Sequence, residues 1–140
     1  MSHHEHYSVD SLGLHAAERF GVKVKKFDLF SAEETLTEAA LVARYLAHIT
    51  ENTRLVSITW VNSCFGVKLP VKAITEAIQT INAQRAPAKR IFTVLDAVHG
   101  IGIENVASLH ELGVDYVASG CHKWLFGPRG TGFLWASDLG

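Results

Sequence analysis

Short apolar runs alternate with stretches of helical spacing along this chain, and that alternation narrows the folds open to it. Leu55 to Val61 is rich in β-branched residues, as a buried strand requires. Ile91 to Leu95 and Val114 to Ser119 repeat the pattern, and Thr131 to Trp135 follows as a last strand. Between them, Pro70 stands where a helix starts, and Val71, Ile74, Ile78 and Ile81 form one stripe. A short helix is predicted from about Glu104 to Leu112, stopped by Gly113. Upstream, Val9 to Phe20 places Leu12, Ala16 and Phe20 on one helical face, with Gly21 as its stop. Val22 to Leu29 alternates as a half-buried strand would. Ser31-Ala-Glu-Glu34 reads as a capping box that opens a helix carrying Leu36, Ala39, Ala43, Leu46 and Ile49. The sum is a single α/β domain with a mainly parallel, doubly wound sheet and helices on both faces. The last strand has no helix before it, which leaves it free to run antiparallel.

Bulk properties exclude several classes. A chain of 140 residues, 48% apolar and 19% charged, belongs to a folded protein with a real core. A net charge of −1 gives no electrostatic basis for binding nucleic acid or an anionic membrane. No apolar run reaches the roughly 18 residues that span a bilayer. Two cysteines, Cys64 and Cys121, are too few for a disulfide framework, so reduced thiols in a cytoplasmic protein are expected. Eight histidines raise the question of a metal, but no His-x3-His or Cys-x2-Cys pair occurs, and no structural zinc is expected. His3 and His4 read equally well as part of a frayed terminus.

In parallel sheets, ligands sit outside the carboxyl ends of the strands. Asn62 to Gly66, Asp96 to His99 and Ser119 to Lys123 each follow a strand end, so all three open on one rim. Taken alone, Asp96 is as often a turn residue as a working carboxylate, and a lysine after a strand is usually solvated. Together they form the pair that pyridoxal 5′-phosphate needs. A lysine forms a Schiff base with its aldehyde, and an aspartate keeps its pyridine nitrogen protonated. His122 has the chemistry to donate to a phosphate oxygen, and His99 to approach the ring. Gly127-Pro-Arg-Gly-Thr-Gly132 lacks the Lys-Ser/Thr of a P-loop, and Gly-x-Gly-x-x-Gly is absent, so it reads as a tight turn.

Asp96-x-x-His99, followed by Ser119-Gly-Cys-His-Lys-Trp-Leu-Phe-Gly-Pro-Arg-Gly-Thr-Gly-Phe133, resembles the class V aminotransferase group of fold-type I pyridoxal phosphate enzymes. That group includes cysteine desulfurases, selenocysteine lyases and isopenicillin N epimerase-like proteins. Glu5-His6-Tyr7-Ser8 is similar to the family's Glu-His-His-Ser/Ala segment. Val56 to Val71 is similar to its strand, loop and Pro-Val helix entry.

The resemblance implies that Lys123 is the Schiff-base lysine and proton shuttle, and that Asp96 partners the ring nitrogen. It makes His6 the ring stacked on the cofactor's face, and places His99 near the phenolic oxygen. His122 matches a phosphate-contacting position. Asn62 or Ser63 contacts the phenolic oxygen or substrate. Relatives with Ser-Gly-His-Lys place a hydroxyl where this chain has Gly120, which leaves Ser119 and Cys121 as alternatives for the phosphate. Family members are much longer. The chain is therefore expected to be residues 1–140 of a partial large domain, without the phosphate-loop segment before it and the small domain after it. The implied parent is a homodimer acting on a small amino acid, first as a desulfurase or lyase, next as an aminotransferase or epimerase. The rival is a truncated, non-catalytic α/β domain.

Overall fold

The computed structural model describes residues 1–31 and 33–138. Helix α1 (Tyr7–Phe20) opens behind His6, whose backbone is extended, whose ring Nδ1 accepts the Ser8 N–H and whose carbonyl accepts the Val9 and Asp10 N–H groups. It closes at Gly21, where φ is +66° and the N–H returns to the Ala17 carbonyl, as the sequence predicts. Its predicted packing face is not used, since no α1 residue is buried, and Leu12 and Phe20 stay 69% and 71% exposed.

Two expectations fail in the next stretch. Val22 to Leu29 is extended but joins no ladder among the described residues, where its one bridge pairs Phe27 with Ser2. Val22 and Val24 are exposed, so the alternation there buries no face, and the Phe27 backbone bonds go to Met1 and His3. The first residues are thus docked, with Ser2 buried, rather than frayed. The capping box at Ser31 does not open a helix, and its Ala32 lies outside the described residues. Helix α2 (Glu38–Ala47) begins instead behind Thr37, whose Oγ1 accepts the Ala40 N–H at 3.2 Å. Glu34 is drawn to Arg44 at 2.5 Å. Leu41 and Tyr45 form the buried face of α2, while Ala39 and Ala43 of the predicted stripe are exposed.

The sheet is as predicted in kind: mixed α/β, mostly parallel, with an antiparallel last strand. Its strands are β1 (Leu55–Thr59), β2 (Phe92–Asp96), β3 (Tyr116–Gly120) and β4 (Gly132–Ala136), in the order β1-β2-β3-β4. Strands β1, β2 and β3 are parallel, and β4 returns antiparallel to β3. One face buries Val56 and Ile58, Thr93 and Leu95, and Val117, on alternate positions of successive strands. On the other face Ala118 and Leu134 are exposed. Helix α3 (Val71–Asn82) is the β1–β2 crossover, and Val71, Ile74, Thr75 and Ile78 are buried as its stripe predicts. The β2–β3 connection is helical only as a 3₁₀ turn, Leu109–Leu112, shorter than the predicted helix. Ser108 accepts the His110 N–H and so starts the turn late, and Gly113 stops it at φ +65°. Thr75 Oγ1 donates to the Leu112 carbonyl at 2.6 Å and ties this turn to α3.

Candidate active site

Asp96 is the last residue of β2, level with Thr59 of β1 and Ala118 of β3. The parallel strands therefore end together, and their following loops share one rim. Asp96 Oδ1 accepts the Val98 N–H at 3.0 Å, which turns the chain sharply. Its Oδ2 takes no hydrogen bond among the described residues. Gly100 closes that turn against Trp60, and a β-carbon there would stand 2.3 Å from the indole. Only glycine fits at this close approach.

Lys123 arrives from the loop after β3. Its Nζ lies 2.7 Å from His99 Nε2, and Trp124 Nε1 donates to His99 Nδ1 at 3.3 Å. Burial lowers the His99 pKa from its ordinary 6.5, and the charge of Lys123 acts the same way. Asp96 raises it and His6 lowers it, so His99 feels all three groups across the rim. His6 is held by Ser8, with its Nδ1 2.7 Å from Ser8 Oγ and its ring against Tyr7.

The remaining candidates are placed differently. Asn62 is buried, its Nδ2 donates to the His4 carbonyl, and its Oδ1 accepts from the N–H groups of Cys64 and Phe65. Its oxygen and one of its two amide N–H donors are thus used in shaping the loop. Ser63 is exposed and lines an open cavity of about 520 Å³ with Asn62, Lys68, His99, Glu104 and Trp124. Ser119 is buried, with Oγ donating to the Gly120 carbonyl at 3.2 Å. His122 is exposed, and Cys121 is a half-buried free thiol. Gly127 to Gly132 is the predicted tight turn, in which Thr131 Oγ1 donates to the Pro128 carbonyl at 2.6 Å.

Two contributors escaped the sequence reading. Trp124 is one, since a bulky residue beside a lysine carries no signal of what its N–H will meet. Glu5 is the other. It is buried, and accepts from Thr59 Oγ1 and from the Ser2 N–H at 3.4 Å, which pins the His6 segment to the end of β1. A polar Thr59 closing an apolar strand was the available sign. Burial raises the Glu5 pKa above 4.5, its hydrogen bonds oppose this, and Asp96 adds to it. A raised carboxyl pKa means the folded chain binds more protons, so Glu5 costs stability as pH rises from the unfolded pKa through the folded one. Glu5→Gln is expected to flatten that part of a pH–stability curve and to hold the neutral-pH denaturation midpoint at or above wild type. An unchanged pH slope would show that Glu5 is not the group responsible.

A mainly parallel sheet with an amine and a carboxylate beyond adjacent strand ends is the arrangement at whose carboxyl rim α/β proteins place their ligands. The aminotransferase class-V family model matches residues 1–139. The chain is 32% identical over 118 residues to isopenicillin N epimerase of Streptomyces clavuligerus, covering 84% of this chain and 27% of that protein. It is 35% identical over 97 residues to selenocysteine lyase of Homo sapiens, covering 68% and 21%. It superimposes on a mutant of C-DES, solved with glycine covalently linked to its pyridoxal phosphate cofactor, at a TM-score of 0.77 and 22% identity. That likeness covers 98% of this chain and 34% of the other. This chain belongs to the aminotransferase class-V family. It spans between a fifth and about a third of the length of these relatives. Pyridoxal phosphate is the family's cofactor.

The donor set fits that group. The half-buried Lys123 amine faces the rim, Asp96 keeps one carboxylate oxygen open, and His6 and His99 lie within electrostatic reach.

Proposed function

We propose that this chain is the central part of the large domain of a pyridoxal phosphate-dependent enzyme acting on a small amino acid. The observation that carries the reading is the Lys123–His99 contact at the strand end next to Asp96. Bound here, pyridoxal phosphate supplies an aldehyde for an amine to join and a ring that accepts an electron pair from the α-carbon. Lys123 is the amine that anchors it and the base that carries the α-proton. The Asp96 carboxylate holds a proton on the ring nitrogen by direct charge attraction. His6 would cover a face of the ring, and His99 would serve the phenolic oxygen. His122 is the phosphate donor from this loop, with Ser119 or Cys121 as its neighbour, and Asn62 shapes the substrate side.

Desulfurase or lyase chemistry is the first choice, supported by the selenocysteine lyase relative. Epimerisation stands next, because the relative covering 84% of the chain is an epimerase. The residues named here serve both, since each begins by moving the same proton. The proposal extends to a homodimer and to a cytoplasmic setting, which the free thiols of Cys64 and Cys121 suit. No helix among the described residues is long and apolar enough to cross a membrane.

The test is to add pyridoxal phosphate to the purified chain, reduce with borohydride, and map the pyridoxyl group by peptide mass spectrometry. Labelling concentrated on Lys123 supports the reading. Labelling spread evenly over the lysines of a folded chain would leave the non-catalytic α/β domain as the better account.

A further inference from the structure

Helix α1 buries no residue, so the apolar core does not fix where it or His6 stands. Polar bonds hold the segment ahead of it instead. Met1 and His3 pair with Lys25 and Phe27, on the extended stretch outside the sheet. Two bonds reach the rim: Asn62 Nδ2 donates to the His4 carbonyl, and Thr59 Oγ1 donates to Glu5. The second of these stands next to His6. Thr59 and Asp96 are partners in the parallel register of β1 and β2, so their side chains leave the same sheet face. Glu5 therefore docks on the Asp96 side of the rim. It is 8% exposed and accepts from both Thr59 Oγ1 and the Ser2 N–H, and a buried carboxylate with its donors in place is costly to displace.

We propose that Glu5 is a positioning residue: gripped by Thr59 at the end of β1, it holds His6 beside Asp96 on the carboxyl rim. The strand, rather than the packing of α1, then sets where the imidazole stands. From the other side, His6 Nδ1 lies 2.7 Å from Ser8 Oγ, and the His6 carbonyl accepts the Val9 and Asp10 N–H groups. His6 and the first turn of α1 thus move as one body, and Glu5 is its tether. The service of His6 to the cofactor rests on the pyridoxal phosphate reading; its placement by Glu5 does not.

The test is a histidine NMR titration of the full chain with no cofactor added, with His99 assigned by the signals lost in His99→Gln. Lys123, Asp96 and His6 are the charged groups that act on His99, and Glu5 is not among them. His6→Ala is expected to raise the His99 midpoint, because the His6 charge that lowers it is gone. Glu5→Ala is expected to raise it too, by letting His6 drift away. Loss of the Glu5 negative charge alone would act in the opposite direction, so the sign separates positioning from direct electrostatics. The double variant is expected to rise no further than His6→Ala. Thr59→Val removes the donor, keeps the shape of the side chain and should repeat the rise; it decides should Glu5→Ala fail to fold. Glu5→Gln keeps an acceptor for Thr59 and should restore most of the wild-type midpoint. A midpoint unmoved or lowered in the folded variants, or rises that add in the double variant, overturns the proposal. With pyridoxal phosphate added, Glu5→Ala is expected to weaken uptake about tenfold, and no further once His6 is alanine. Equal weakening in both backgrounds overturns the proposal as well. A chain that takes up no cofactor refutes the pyridoxal phosphate reading and still gives the titration, so the two ideas fail separately.

Discussion

Lys123→Ala is expected to abolish covalent uptake of pyridoxal phosphate and to cut any turnover of an amino-acid substrate about 10³-fold or more. Stability should barely change. Lys123 is half-buried in the loop beyond β3, its one side-chain hydrogen bond among the described residues is to His99, and it belongs to no part of the apolar core. A side chain so placed contributes within about 0.5 kcal/mol of nothing when removed. Lys123→Arg sharpens the comparison, because it keeps the positive charge but has no amine that can join an aldehyde. Both variants should therefore fail alike in the visible absorption change on adding cofactor. Survival of that change in Lys123→Ala would sink the assignment. Loss in alanine with retention in arginine would mean that charge, rather than the amine, had been read by the experiment.

Much of this site was legible because strand ends are legible. Apolar runs closing in Asp96 and Ser119, with a parallel sheet implied between them, bring their loops together whatever the details of packing. The structure joins Lys123 to His99 and keeps Asp96 and His6 within electrostatic reach. It turns other candidates inward. The Asn62 amide and the Ser119 hydroxyl are taken up by neighbouring backbone groups. Sequence lists polar groups near a rim, but which of them are already satisfied depends on backbone directions that no spacing records.

The fold divides in the same way. Stripes such as Ile74 and Ile78 were readable because one face of α3 meets the core and the other meets water. The α2 stripe was misread, since alanines at Ala39 and Ala43 satisfy an apolar pattern without demanding burial, whereas Leu41 and Tyr45 do demand it. Val22 to Leu29 alternates like a strand, yet alternation states which face is apolar and says nothing about an available partner. Its backbone found Met1 and His3 first.

Asp115→Ala is expected to cost about 3–5 kcal/mol, a large share of the total stability of a domain this size. Asp115 is 5% exposed and lies just before β3, at the opposite end of the sheet from the candidate site. Its Oδ2 accepts from the Thr93 N–H at 2.7 Å and from Thr93 Oγ1 at 2.9 Å, and its Oδ1 accepts from the Arg90 guanidinium. Its own N–H donates to Thr93 Oγ1, and its carbonyl accepts the Ser137 N–H, so one residue joins β2, β3 and the chain leaving β4. Alanine strands the buried Thr93 N–H, a penalty that falls in full because water cannot reach it, and leaves the partly exposed Arg90 guanidinium without its carboxylate. Asp115→Asn keeps one acceptor but turns an NH₂ toward a donor, and should cost about half as much. Urea denaturation followed by circular dichroism measures both, and an alanine loss below about 1 kcal/mol would show the network to be dispensable. The contrast with Asp96 is the physical point. Two aspartates flank the same pair of strands, one saturated by three donors and one with an oxygen left open. The saturated carboxylate holds the sheet together, and the open one is available for chemistry.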